Sequence, residues 1–141
     1  MKKQFSTSWK ASKQRRKQIK YVANAPLHIK QKQLSAHLSK DLRKKYGRRS
    51  FQLRKNDSVK IMNGKNKGKT GKVSLVDLKN SRVAIEGIQI TKKEGSKINV
   101  YFKASNLMIT EMNLEDKKRS ESIKKQNTET KTEDKKTEAK K

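Results

Sequence analysis

Cysteine is absent from the 141 residues, which excludes disulfides, thiol catalysis and zinc fingers and is consistent with a reducing compartment. Long apolar runs are missing as well. The longest, such as Tyr21 to Ala23 and Leu107 to Ile109, are three residues, so neither a secretory signal nor a membrane span is expected, and the chain reads as cytoplasmic. Proline occurs once and aromatic residues make up only 5%. With 30% of the chain hydrophobic, the length suits one domain with a small core, and tails around it.

Positive charge is abundant. Lys and Arg number 39 against 13 Asp and Glu, a formal +26, and such self-repulsion resists compaction unless a polyanion neutralises it. The implied partner is nucleic acid. Residues 1–55 carry 18 basic residues and one acid, 56–114 carry 11 and 5, and 115–141 carry 10 and 7. The first zone has too few apolar residues to offset the entropy of folding alone and is expected to be a binding arm ordered by its partner.

Two short helices are expected in the arm. Pro26 suits the first turn of one running to about Leu34, because its missing N–H has no intrahelical acceptor there. Ser39 can cap the second, Asp41 sits in its first turn, Arg43, Lys44 and Lys45 favour its C-terminal end, and Gly47 can take the left-handed stop. Leu27, Leu34, Leu38 and Leu42 are the expected docking contacts. In the middle zone the period becomes two: Val59 and Ile61; Val73 and Leu75; Val83 and Ile85; Ile98, Val100 and Phe102; Leu107 and Ile109. Five short antiparallel strands, with turns at 64–71, 79–81, 92–97 and 103–106, imply a small closed or partly closed β-barrel. From Glu115 onward the only apolar residues are Ile123 and Ala139, and 115–141 is expected to be a charged, disordered tail.

The most informative segment is Asn63 to Lys72, where Gly64, Gly68 and Gly71 are interspersed with Lys65, Lys67, Lys69 and Lys72. Glycine permits positive φ and close approach to a sugar-phosphate chain, lysine supplies point charges, and successive amides can form an anion nest. The bland alternative is a hairpin with solvated lysines. A Walker A loop fails on spacing, since the required first glycine falls on Asn63, and on context, since a strand and not a helix follows.

Arg48, Arg49, Arg54 and Lys55 lie where the arm enters the barrel and can fork onto phosphates. Phe5 and Trp9 can stack on splayed bases or belong to a frayed end. His28 and His37, with Asp41 the one nearby carboxylate, are too few for a metal site and are expected to contact phosphate or stay solvated. No nucleophile, base and orienter occur together, so an enzyme is not expected, and neither a cofactor nor a small-molecule substrate is implied. The RNA-binding candidates are Lys13, Arg15, Arg16, Lys17 and Lys20; His28, Lys30 and Lys32; Lys40, Arg43, Lys44 and Lys45; Arg48, Arg49 and Arg54; and Lys65, Lys67, Gly68, Lys69 and Lys72.

The stretch Arg54 to Ile88, with Asp57, Val59, Gly64, Gly68, Gly71, Lys72 and Val73 in order, resembles the KOW motif of ribosomal and transcription-elongation proteins. Asn24 to His28 and Leu38 to Ser50 resemble the extension of the L-twenty-four family of archaeal and eukaryotic large-subunit ribosomal proteins, a resemblance covering about residues 13–120. It implies a mainly β fold: a small SH3-like (KOW) barrel with a basic, partly helical N-terminal arm and a disordered tail. It also implies a structural protein on the 5′ domain of large-subunit ribosomal RNA, joining early in assembly near the peptide exit tunnel, with other large-subunit proteins as neighbours. The segment with Phe5 and Trp9 and the tail after Arg119 lie outside the resemblance. A transcription-associated KOW protein is the alternative, although no second globular segment is left for a polymerase. A DNA-compacting basic protein is a more distant rival.

Overall fold

The computed structural model describes residues 5–6 and 12–123. Three short helices, α1 (Arg15–Asn24), α2 (Leu27–Gln33) and α3 (Lys40–Tyr46), alternate with the first strands of a seven-stranded sheet. The strands are β1 (Ser35–Leu38), β2 (Ser50–Gln52), β3 (Ser58–Ile61), β4 (Thr70–Asp77), β5 (Arg82–Thr91), β6 (Lys97–Phe102) and β7 (Leu107–Glu111). Their spatial order is β2-β1-β7-β3-β4-β5-β6. All pairings are antiparallel except β1 with β7.

The five alternating segments form β3 to β7, and most of their apolar residues turn to one side. Val59, Ile61, Val73, Val83, Ile85, Leu107 and Ile109 are fully buried. They join Leu38 of β1 and Phe51 of β2 in one cluster, against which Val100 and Phe102 of β6 also pack. Strands at both ends of the sheet order thus share one core, which requires the sheet to curl into a small barrel. Register shifts between Ser58 and Val59, Val73 and Leu75, and Ala84 and Gln89 provide the bends. At Gly71 a Cβ would lie 2.7 Å from Ile85 Cγ2 and 3.1 Å from the Glu86 carbonyl oxygen, so only glycine lets β4 cross this close to β5.

In α3, Ser39 accepts from the Leu42 N–H at 3.3 Å, and Gly47 ends the helix at φ 63°. Pro26 stands at the N-cap of α2, its carbonyl accepting from Ile29 and Lys30. The helix α1 is not among those expected; it has no side-chain cap and no buried residue.

Three expectations need correction. The arm does not end at residue 55, since Leu34, Ala36, Leu38, Phe51 and Leu53 are core residues. The segment SAHL of β1 completes the sheet through its parallel pairing with β7, a contact between segments far apart in sequence. Leu27 is not a docking contact and is 68% exposed, whereas Leu34 and Leu38 are buried and Leu42 is partly so. Nor does the tail leave the fold at 115: residues 117–123 are helical, and Arg119 and Ile123 are buried. Residues 124–141 lie outside the described part.

Arg119 is held by Asp57. Asp57 Oδ1 accepts from Arg119 Nη1 at 2.6 Å and from the Asn113 N–H at 3.0 Å. Its Oδ2 accepts from Arg119 Nη2 and from the Arg54 N–H, both at 2.8 Å. The guanidinium also donates to the carbonyls of Asn113 and Gln52 and lies over the Phe51 ring, 5.3 Å from its centroid. Its Nε has no hydrogen-bond partner. A buried charge pair is tolerated when it is bidentate and its lone pairs are used, as here.

Candidate nucleic-acid interface

Between residues 12 and 72 there are 20 basic residues and two acids, Asp41 and Asp57. Asp57 is buried and spent on Arg119. Asp41 is therefore the one exposed carboxylate that this segment contributes, which leaves a strongly positive potential.

The candidate residues fall into three groups. In the first, Lys13, Arg15, Arg16, Lys17 and Lys20 are exposed on and just before α1. The second group spans α2 to β2. His28 and Lys32 are exposed and Lys30 half-buried, Lys40, Lys44 and Lys45 project from α3, and Arg48 and Arg49 lie in the turn into β2. Three side chains of this group are positioned by their own chain. Arg43 Nε donates to the Leu38 carbonyl at 2.8 Å, Arg48 lies 5.1 Å from the Phe51 centroid, and Lys45 Nζ lies 5.4 Å from that of Tyr46. Arg54 is only partly available, because it pairs with Asp116. That contact, chiefly the hydrogen bond from Arg54, holds the Asp116 carboxyl below its ordinary range.

The third group is the loop between β3 and β4, where Lys65, Lys67, Lys69 and Lys72 are all exposed. An anion nest is not available at its end. The amides of Lys67, Gly68 and Lys69 donate to the carbonyls of Gly64, Ile61 and Asn66, so their donors are occupied. Gly68 is needed for its φ of 88°, and nothing lies within 4 Å of the place where its Cβ would be. At this end of the turn the lysine side chains, and not the amides of residues 67–69, are the groups left to meet an anion.

Phe5 packs on Tyr21 with ring centroids 4.7 Å apart, beside α1; Trp9 lies outside the described residues. An open groove of about 970 Å³ borders Leu53, Leu75 and Leu78, but its charged lining includes the internally paired Arg54, Asp116 and Arg119. Among the described residues no three of His, Asp or Glu come together as a metal site requires, and no helix is long and apolar enough to cross a membrane.

Two residues stand out in the structure beyond what sequence reasoning distinguishes. Burial, and then the charges of Arg43 and Arg49, lower the pKa of His37. From the sequence His37, like His28, is expected to contact phosphate or stay solvated, but only His28 is among the RNA-binding candidates; the outward position of His37 in the alternation SAHL is readable. Arg119 has one signal: it stands four residues before Ile123, the one large apolar residue of the tail.

A family model for ribosomal proteins, described as L26 in eukaryotes and L24 in archaea, matches residues 12–126. The large ribosomal subunit protein uL24 of Methanosphaera stadtmanae is 46% identical over 112 residues, covering 79% of this chain and 96% of that protein. The uL24 of Methanosarcina barkeri is 45% identical over 114 residues, covering 81% and 98%. That of Sulfolobus acidocaldarius is 46% identical over 107 residues, covering 76% and 80%.

Proposed function

The chain belongs to the ribosomal protein family that comprises L26 of eukaryotes and L24 of archaea, and from that premise we propose that it is a structural, non-catalytic constituent of the large ribosomal subunit that binds large-subunit ribosomal RNA. The observation that carries the RNA reading is the segment from residue 12 to residue 72, where 20 basic residues face one exposed carboxylate. Such a surface neutralises phosphates and gains from counterion release. It lies on short helices and a hairpin loop, none long enough to read a deep A-form major groove, so recognition is by backbone charge and by the fit of a rigid barrel against folded RNA. The matched relatives are ribosomal, and nothing in them favours the transcription-associated alternative.

A place on the 5′ domain, early joining and a position near the exit tunnel with neighbouring large-subunit proteins follow from the family resemblance. Crosslinking in intact large subunits, mapped on RNA and protein, tests them together. Crosslinks from α1, α3 and the β3–β4 loop to 5′-domain nucleotides support the reading. Crosslinks confined to protein, or release of the chain from the subunit by a moderate salt wash, contradict it.

A further inference from the structure

Positive charge from three parts of the chain converges at the outer side of β1. Alternation there sends Ala36 and Leu38 into the core and His37 outward. Its neighbour on β2 is Ser50, its neighbour on β7 is Met108, and Met108 pairs in turn with Lys60 on β3. Arg43 reaches in from α3, its Nε bonded to the Leu38 carbonyl at 2.8 Å. Arg49 is fixed from the other side, its carbonyl accepting from the Leu38 N–H at 2.9 Å. Arg43 is thus anchored through its side chain, and Arg49 through its backbone, to the residue next to His37.

The elements packed against β1 carry few acids. Asp41 on α3 and Glu111 on β7 are the carboxylates among them, β2 has none, and the turn Ala104–Asn106 is uncharged. Neither acid figures among the groups acting on His37, whose pKa is lowered first by burial and then by the two guanidiniums. Among the described residues neither Arg43 nor Arg49 has an ion-pair partner. Three basic groups brought together without a counter-charge repel one another, and a bound anion removes that repulsion.

We propose that His37, Arg43 and Arg49, with the Ser50 hydroxyl, form a binding site for one backbone phosphate of large-subunit ribosomal RNA. The proposal rests on the reading of the chain as an RNA-binding protein and adds a specific site to it. A phosphodiester between these groups reverses the field at the imidazole: two guanidiniums disfavour the imidazolium, whereas an adjacent anion favours it and gives both ring nitrogens a role as donors. His37 is mostly neutral in the free protein at neutral pH and takes up a proton when RNA binds. Because the bound state holds more protons, affinity falls as pH rises through the bound-state pKa and levels off above it.

The test uses the full-length protein and a large-subunit ribosomal RNA transcript at fixed salt. Between about pH 8 and about pH 6, wild-type binding tightens by roughly three- to tenfold, a tenfold change corresponding to one unit of pKa difference. His37→Gln has a flatter profile and matches the wild type at the higher pH. His37→Arg binds at the higher pH as tightly as the wild type does at the lower. NMR titration of the His37 imidazole in the wild-type protein, free and RNA-bound, reads the proton uptake without any variant. A wild-type profile in His37→Gln, or an imidazole pKa unchanged by RNA, overturns the phosphate site while leaving RNA binding intact. Failure of the wild type to bind the transcript overturns the RNA-binding reading and this site with it.

Discussion

The helix α1 and the helical segment 117–123 are both short, polar and rich in Lys and Arg, and each carries one isoleucine. Ile19 of α1 is 58% exposed and no residue of that helix is buried, whereas Ile123 and Arg119 are buried in the second. Propensity does not separate them, since isolated helices of this length are marginal in water. The difference is the counter-charge. Asp57 offers four lone-pair directions, two of which Arg119 takes in fork geometry, and this draws the C-terminal segment onto Phe51. Among the described residues no such buried carboxylate faces α1, so its cations stay on the surface. In a chain of this charge, the acid that is buried decides which basic segment belongs to the fold and which is left for a partner.

The largest effect is expected at that pair. Arg119→Ala leaves Asp57 buried and partly unpaired and should cost about 3–5 kcal/mol in urea unfolding, whereas Ile19→Ala should stay within about 0.5 kcal/mol. Arg119→Lys sharpens the comparison: it keeps the charge but not the two-point geometry, so an intermediate loss is expected. A cost below about 1 kcal/mol for Arg119→Ala would mean that the segment is seated by something other than Asp57.

Next in size is Gly71→Ala, whose methyl meets Ile85 and the Glu86 carbonyl; overpacking of this kind costs about 1–3 kcal/mol. Gly68→Ala meets no such obstacle and should lose only about 1–2 kcal/mol through its left-handed backbone. Equal losses at the two positions, read from the same denaturation curves, would show that the close approach of β4 and β5 is not what fixes Gly71.

Much of this architecture is legible in the residues themselves. Val59 to Ile109 announces β3 to β7 by alternation, because a half-buried strand must alternate. Ser39 and Gly47 bracket α3 because helix ends have unsatisfied groups that need such residues. The parts that are not legible depend on distant partners. The four residues of β1 and three of β2 are too short for a periodic signal, and β1 is a strand because β7 lies beside it. The Arg119–Asp57 contact joins positions 62 residues apart, and a compositional reading of 115–141 averages a seated segment with the charged residues after it. In the proposed RNA-binding surface, the lysines of the Gly-rich loop can be named from sequence, but the internal use of the amides of residues 67–69 cannot.

Removing residues 1–24 should change stability by less than about 0.5 kcal/mol, since no residue of α1 is fully buried and the half-buried Tyr21 packs on Phe5, which is removed with it; a clear loss in calorimetry would make α1 part of the folded unit. The smallest effects concern pH. His37 has a depressed pKa, so its contribution is fully present above its ordinary 6.5 and is lost as pH falls from there through the lower folded-state value. Asp116, also depressed, contributes stability that is present above 3.8 and lost as pH falls below it. Thermal midpoints measured against pH should show two shallow acid-side declines, the first absent in His37→Gln and the second reduced in Asp116→Asn, the remainder belonging to Asp77, whose carboxyl is also lowered, chiefly by the hydrogen bond from the Asn80 side chain.

The proposed division between a folded unit and a charged helix that binds RNA is tested most directly by the salt dependence of binding to large-subunit ribosomal RNA, compared among the full chain, a chain lacking residues 1–24 and one lacking residues 124–141. Each phosphate contact contributes on the order of 0.7 to 0.9 to the logarithmic slope. The account predicts that losing 1–24 makes the slope shallower by several units while the barrel stays folded, and that losing 124–141 leaves it nearly unchanged. Equal slopes for the full chain and the chain without α1 would contradict it.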